Sequence, residues 1–156
     1  MKINSLFFFA LIMLSGLITY AQPTFTTSFS PSTIGPGSSS VLSYTVTNGP
    51  GSTVRDITFT NTLPAGVSLT NPANIVFTES DGTVTAPDGG STISFSGGKL
   101  GTGASLTIKV NVTSSTVATY TNVTGDLTSS LGNSGTATAD LTVSSDNLGF
   151  SKAFIK

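Results

Sequence analysis

The side chains best equipped for chemistry in this sequence are carboxylates: Glu79, Asp81 and Asp88, carried on neighbouring turns by the runs Glu79-Ser80-Asp81-Gly82 and Asp88-Gly89-Gly90. Three such groups could bind Ca²⁺ or act as a general acid and base. Ca²⁺ takes roughly six to eight oxygens, and this spacing matches no EF-hand loop. A glycosidase pair would need a cleft with aromatic platforms, and the chain has no Trp. Acidic turn residues facing water describe them better. His and Cys are also absent, so there is no imidazole base, no Cys–His or Ser–His dyad, no zinc-finger set and no disulfide framework. Catalytic residues, cofactor-binding residues and metal ligands are therefore all assigned as none, and the chain is expected to be no enzyme.

Other residue types give bland readings. Lys109 could in principle form a Lys–Asn isopeptide cross-link in place of a disulfide, but that bond needs a lysine buried beside a carboxylate, and the alternation around Lys109 turns it to the wet face. Tyr120 fits a tyrosine corner, in which the hydroxyl bonds back to the backbone a few residues upstream. The pairs Thr45/Thr47, Thr58/Thr60, Thr83/Thr85, Thr119/Thr121 and Thr136/Thr138 could suggest a flat ice- or glycan-binding array. They are expected on strands of unrelated register, where Thr is simply a good outward residue. The triplets Asn111-Val112-Thr113 and Asn122-Val123-Thr124 would accept glycans only in a eukaryotic secretory path.

Six Lys+Arg stand against seven Asp+Glu in 156 residues, a formal net charge of −1. The basic residues are scattered, which argues against nucleic acid as a partner. At the N-terminus, Lys2 precedes an apolar block from Leu6 to Ile18 that ends at Thr19-Tyr20-Ala21. That is the pattern of a secretory signal peptide cleaved after Ala21, and the block is shorter than the roughly 20 apolar residues of a membrane span. The expected division is residues 1–21 as leader, 22–146 as one domain and 147–156 as a tail. No membrane span is expected after cleavage.

The elements that would hold these residues are strands. Ser105–Thr113 puts Leu106, Ile108, Val110 and Val112 on one face and Thr107, Lys109 and Asn111 on the other, the period-2 pattern of a half-buried strand. Val41–Thr47 turns Leu42, Tyr44 and Val46 inward, and Thr136–Val143 turns Ala137, Ala139, Leu141 and Val143 inward. Shorter runs carry Phe25/Phe29, Ile57/Phe59, Ile75/Phe77, Ile93/Phe95 and Tyr120 around Val123. Turn chemistry separates them at Gly35-Pro36-Gly37, Asn48-Gly49-Pro50-Gly51, Leu63-Pro64-Ala65-Gly66, Asp81-Gly82, Gly97-Gly98 and Gly132-Asn133. No window has a helical period. The fold class is all-β, an Ig-like antiparallel β-sandwich of about 7–8 strands.

Four blocks in order carry a family resemblance: Pro36-Gly37-Ser38 with Leu42-Ser43-Tyr44-Thr45-Val46-Thr47-Asn48; Asp56 to Val67 with its Leu63-Pro64-Ala65-Gly66; Leu100-Gly101-Thr102-Gly103-Ala104-Ser105-Leu106-Thr107-Ile108; and Asn133-Ser134-Gly135-Thr136-Ala137 running to Val143. Over about Pro23–Val143 the chain resembles the DUF11-like repeat domains of bacterial secreted and surface proteins. The resemblance implies an Ig-like sandwich, often in tandem, with no catalysis. The tail run Phe150-Ser151-Lys152-Ala153-Phe154 echoes Phe25-Thr26-Thr27-Ser28-Phe29, as a second repeat beginning would. The function expected is a spacer or adhesion repeat of a secreted or cell-surface bacterial protein, its partners being neighbouring repeats or other surface domains. The alternative is a carbohydrate- or protein-binding module using the end loops Ser80–Gly90 and Gly97–Gly103.

Overall fold

The computed structural model describes residues 21–78 and 81–145, so Glu79, Ser80, the leader and the tail echo at Phe150–Phe154 lie outside the described residues. Thirteen strands follow one another: β1 (Thr24–Ser30), β2 (Thr33–Ile34), β3 (Ser39–Thr47), β4 (Val54–Thr62), β5 (Ser68–Leu69), β6 (Val76–Phe77), β7 (Thr83–Thr85), β8 (Thr92–Leu100), β9 (Ser105–Thr113), β10 (Ala118–Val123), β11 (Thr128–Ser129), β12 (Gly132–Asn133) and β13 (Thr138–Val143). Seven of them, β1, β3, β4, β8, β9, β10 and β13, have six residues or more and form the sandwich. The others are short ladders closing its edges. No helix among the described residues is long and apolar enough to cross a membrane.

Layer one runs β1-β3-β9-β5, with β6 also on β9. Layer two is assembled from β10-β13-β2 and β12-β11-β4-β8-β7. The two parts are joined where the chain leaving β10 donates Gly125 N–H to Thr60 O at 2.8 Å and Thr128 then pairs with Thr58. Pairing is antiparallel throughout except for β2 on β13. The reason is local: Pro31, which has no N–H to donate, ends the β1 ladder, and the chain crosses to the other layer before it pairs again.

The strongest alternation in the sequence forms the centre of layer one. Leu106, Ile108, Val110 and Val112 on β9 are fully buried, opposite Leu42, Tyr44 and Val46 on β3. Phe59, Phe95, Ile57, Ile93 and Leu100 answer from layer two. Elsewhere the reading needs correction. Ile75, expected in one strand run with Phe77, lies outside the strand and is 45% exposed, because only Val76–Phe77 joins the sheet there. The last strand starts at Thr138, and Ala137 is buried just before it, where its N–H bonds Thr124 Oγ1. On β10 the inward residue is Asn122, fully buried, while Val123 is 49% exposed. Gly97-Gly98 is no turn but lies inside β8.

Register places the two ends of the described domain at opposite poles. Thr24, where β1 begins, pairs with Thr47, which pairs with Ser105. Val143, where β13 ends, pairs with Ile34 and Ala118, beside Gly37, whose N–H bonds Ser114 O. The entry pole is tied by Asn48, 2% exposed, whose Nδ2 donates to Ser52 O at 2.7 Å and to Gly101 O at 2.9 Å. At the exit pole, Tyr120 Oη donates to Thr116 O and accepts from Ser114 Oγ, both at 3.0 Å. That is the tyrosine-corner geometry. Gly66 lies against the ring: a Cβ there would come within 3.0 Å of it, and its φ of +94° suits glycine. Tyr120→Phe is expected to lose about 1 kcal/mol, two net hydrogen bonds on a half-exposed ring, read as a shift in the urea midpoint with an unchanged slope.

Candidate functional site

A cleft of about 360 Å³ opens where β4, β8 and the turn leading into β7 meet, lined by Arg55, Asp56, Asp81, Lys99 and the backbone of Gly82, Gly97 and Gly98. Two irregularities in the β4–β8 ladder create it. Val54 pairs with Leu100 and Ile57 with Gly98, so Arg55 and Asp56 together stand opposite the single residue Lys99. Two residues farther along, Phe59 pairs with Phe95, so Thr58 stands opposite both Ser96 and Gly97. Each is a two-against-one bulge, the device by which a strand re-aims its side chains. Asp56 takes a left-handed φ of 55° in the first and Gly97 one of 76° in the second.

The glycines are required by the floor beneath them. A Cβ on Gly98 would fall 2.5 Å from the Phe95 ring, and one on Gly82 2.6 Å from it. The cleft floor is thus bare backbone pressed onto a fully buried aromatic ring. Asp56, unlike glycine, carries a side chain in a strained region, although Asp tolerates it better than most residues. Asp56→Ala is expected to lose about 1 kcal/mol and Asp56→Gly to stay within roughly 0.5 kcal/mol of the parent. Urea denaturation of the two variants separates backbone strain from loss of the carboxylate.

Of the three acids singled out in the sequence, Asp81 reaches this cleft and Asp88 does not. Asp88 Oδ1 accepts the Ala73 N–H at 2.8 Å and so anchors the chain between β5 and β6. Among the described residues no three His, Cys, Asp or Glu side chains gather to hold a metal ion. Of the two end loops expected to be available for contacts, Ser80–Gly90 reaches the cleft through Asp81 and Gly82, whereas Gly97 to Lys99, read as part of the other, are residues of β8. Arg55 and Asp56, contributed by β4, had no signal in the sequence, because a bulge shows there only as a break in alternation.

Lys109 points outward and is exposed, across from Ser43 on β3 and Val76 on β6. The threonine pairs lie on different strands, as expected, and no residue of one pair is matched with a residue of another; Thr45 and Thr47 are flanked by other hydroxyl residues. Thr45 and Thr47 are in register with Thr26 and Thr24 on one side and with Thr107 and Ser105 on the other, with Thr47 Oγ1 2.8 Å from Ser105 Oγ. The β3–β9 ladder runs unbroken over nine pairs, and these cross-strand hydroxyl pairs steady the wet face of layer one. The triplet at Asn122 is out of reach of modification in the folded chain, because that side chain is fully buried.

Asn122 belongs to a polar bridge across the core that the sequence did not disclose. Asn61 Nδ2, on β4, donates to the Tyr44 hydroxyl of layer one at 2.7 Å and to Asn122 Oδ1 at 2.9 Å. All three residues are fully buried. Burial pushes the Tyr44 hydroxyl well above the ordinary tyrosine value, an effect only partly offset by the bond from Asn61.

The family described as Domain of unknown function (DUF7933) matches residues 23–143, nearly the whole of the described domain. The chain belongs to the DUF7933 family. The match has the same limits as the resemblance set out above, about Pro23–Val143, under a different family name from the DUF11-like one the four blocks suggested. No curated protein matches this DUF7933 chain. Among solved structures it is similar to BslA, a bacterial hydrophobin, at 18% identity and a TM-score of 0.53, covering 80% of this chain and 95% of that one. It is also similar to the collagen-binding domain of a Staphylococcus aureus adhesin, at 10% identity and a TM-score of 0.46, covering 77% and 96%. The first of these likenesses supports the β-sandwich fold of the DUF7933 domain.

Proposed function

We propose that this DUF7933 chain is a non-enzymatic, exported β-sandwich acting as a spacer or adhesion module of a bacterial secreted or cell-surface protein. The observation that carries the reading is the placement of the chain ends. The polypeptide enters beside Thr47 and Ser105 and leaves beside Ile34 and Ala118, at the other pole. A nine-residue strand such as β3 at ~3.3 Å per residue gives each module a span of about 30 Å. Such a unit holds whatever precedes and follows it apart. A module whose ends met at one pole would add bulk and no reach.

The leader-like segment Met1–Ala21 supports export, and a fold stabilised without cysteine suits either redox environment. The ties at both poles, buried Asn48 and partly exposed Tyr120, fix the loops through which a neighbour would press. The test is fractionation of the cells that make the protein, with an antibody to the domain and protease added to intact cells. The expected result is protein in the medium or digested at the surface, with an N-terminus at Gln22. Protein retained in the cytosol with Met1–Ala21 still attached would contradict the reading.

A further inference from the structure

Arg55 and Asp56 together stand opposite Lys99 at the β4–β8 bulge, which brings two cations into one cleft. Two acids, Asp56 and Asp81, line the same cleft. They could neutralise the cations, yet among the described residues none of these four side chains forms an ion pair or a hydrogen bond. The bulge that carries Arg55 and Asp56 keeps Asp56 in a left-handed backbone conformation. The floor between them is flat backbone, held down on Phe95 because Gly82 and Gly98 have no side chain to lift it. Two cations and two acceptors are thus presented together above an unyielding surface.

We infer that the cleft binds a small carboxylate that carries its own hydroxyl or ammonium donors, the chemistry of a uronic acid unit in an acidic polysaccharide or of a free amino acid. The ligand carboxylate lies between Arg55 and Lys99, where guanidinium can give it two parallel N–H bonds. Ionised Asp56 and Asp81 can only accept hydrogen bonds, and they take the ligand's donors. Selectivity follows from the mixture of signs. A bare anion meets two carboxylates that repel it, and a neutral sugar leaves both cations without a counter-charge. A cleft of about 360 Å³ is at the small end of ligand sites, the size for one such unit. This inference does not depend on the spacer reading, which rests on where the chain enters and leaves.

The experiment is a titration of the ¹⁵N-labelled protein with trigalacturonate, glycine, the neutral trisaccharide galactotriose and acetate, followed by amide shifts. The expected result is a dissociation constant on the order of 1 mM for trigalacturonate or glycine, with shifts centred on Asp56, Gly97 and Gly98. Binding should be several-fold weaker at about 0.5 M salt than at about 0.05 M. R55A and D81N change exposed side chains, so both should keep the parent amide spectrum elsewhere while weakening binding by about tenfold. D56G removes the carboxylate while relieving the strain, and should weaken binding without unfolding the protein. Trigalacturonate binding alone identifies a polysaccharide as the source, and glycine binding alone an amino acid. Three results would overturn the inference: no shift from either at about 20 mM, equal binding of galactotriose or acetate, or undiminished binding by R55A.

Discussion

Replacing Phe59 by alanine should cost about 3–5 kcal/mol, a large part of the 5–15 kcal/mol typical of a domain this size. Phe59 is 1% exposed and its ring is the meeting point of the two layers, 4.9 Å from Phe25, 5.1 Å from Tyr44 and 5.9 Å from Phe95 between centroids. Phe25 and Tyr44 belong to β1 and β3 of layer one, Phe95 to β8 of layer two. Truncation therefore removes contacts on both sides of the core at once. The cavity cannot easily close, because β3 and β9 are zipped over nine pairs and the bulged β4–β8 ladder seats Phe95 under Gly82 and Gly98. No disulfide is present to limit the unfolded ensemble. Phe59→Leu keeps most of the volume and should lose no more than about 1.5 kcal/mol. Guanidinium denaturation of both variants reads the difference, and a loss below about 1 kcal/mol for the alanine variant would show that the ring is not the hub of the core.

The second large effect is an alkaline one. The unfolded chain ionises a tyrosine near its ordinary value of 10.0, whereas burial holds the Tyr44 hydroxyl protonated to a much higher pH. The folded-state value lies above the unfolded one, so the stability contributed by neutral Tyr44 is intact below about pH 10. It is lost as pH rises from there toward the folded value, because the unfolded chain releases a proton that the folded chain keeps. The expected slope is about 1.4 kcal/mol per pH unit. Tyr44→Phe should lack that slope while giving up only about 1 kcal/mol at neutral pH, since Asn61 Nδ2 retains its bond to Asn122. Urea midpoints of parent and variant between pH 9 and about pH 11.5 measure it. Parallel curves would mean that Tyr44 is not the buried proton.

The layers were legible in the sequence because alternation and burial share one cause. Each inward position on Ser105–Thr113 is apolar, and each is fully buried. Legibility failed where an inward position is polar. Asn is by type a residue of turns and wet faces, and nothing local says that Tyr44 waits across the core from Asn61 to accept a hydrogen bond. It failed again at the bulges, where Gly97-Gly98 has the composition of a turn but an L side chain is excluded by the Phe95 ring below. The alignment of Thr24 and Thr26 on β1 with Thr47 and Thr45 on β3 was hidden for a third reason. Pairing register depends on the loops between strands, and the residues of one strand do not contain it. For the cleft, Asp81 and Gly82 were visible as turn residues. Arg55 and Lys99 became neighbours only once β4 and β8 had paired.

The claim on which the functional account rests is that the domain holds its two ends at opposite poles. Because the chain has no cysteine, Gln22→Cys with Ser145→Cys supplies clean attachment points for spin labels at both ends. Double electron–electron resonance should give one narrow distance distribution centred on about 35 Å, the length of a nine-residue strand and its flanking turns. A separation under about 20 Å, the spacing of ends that meet on one pole, or a broad spread of distances would contradict the spacer account.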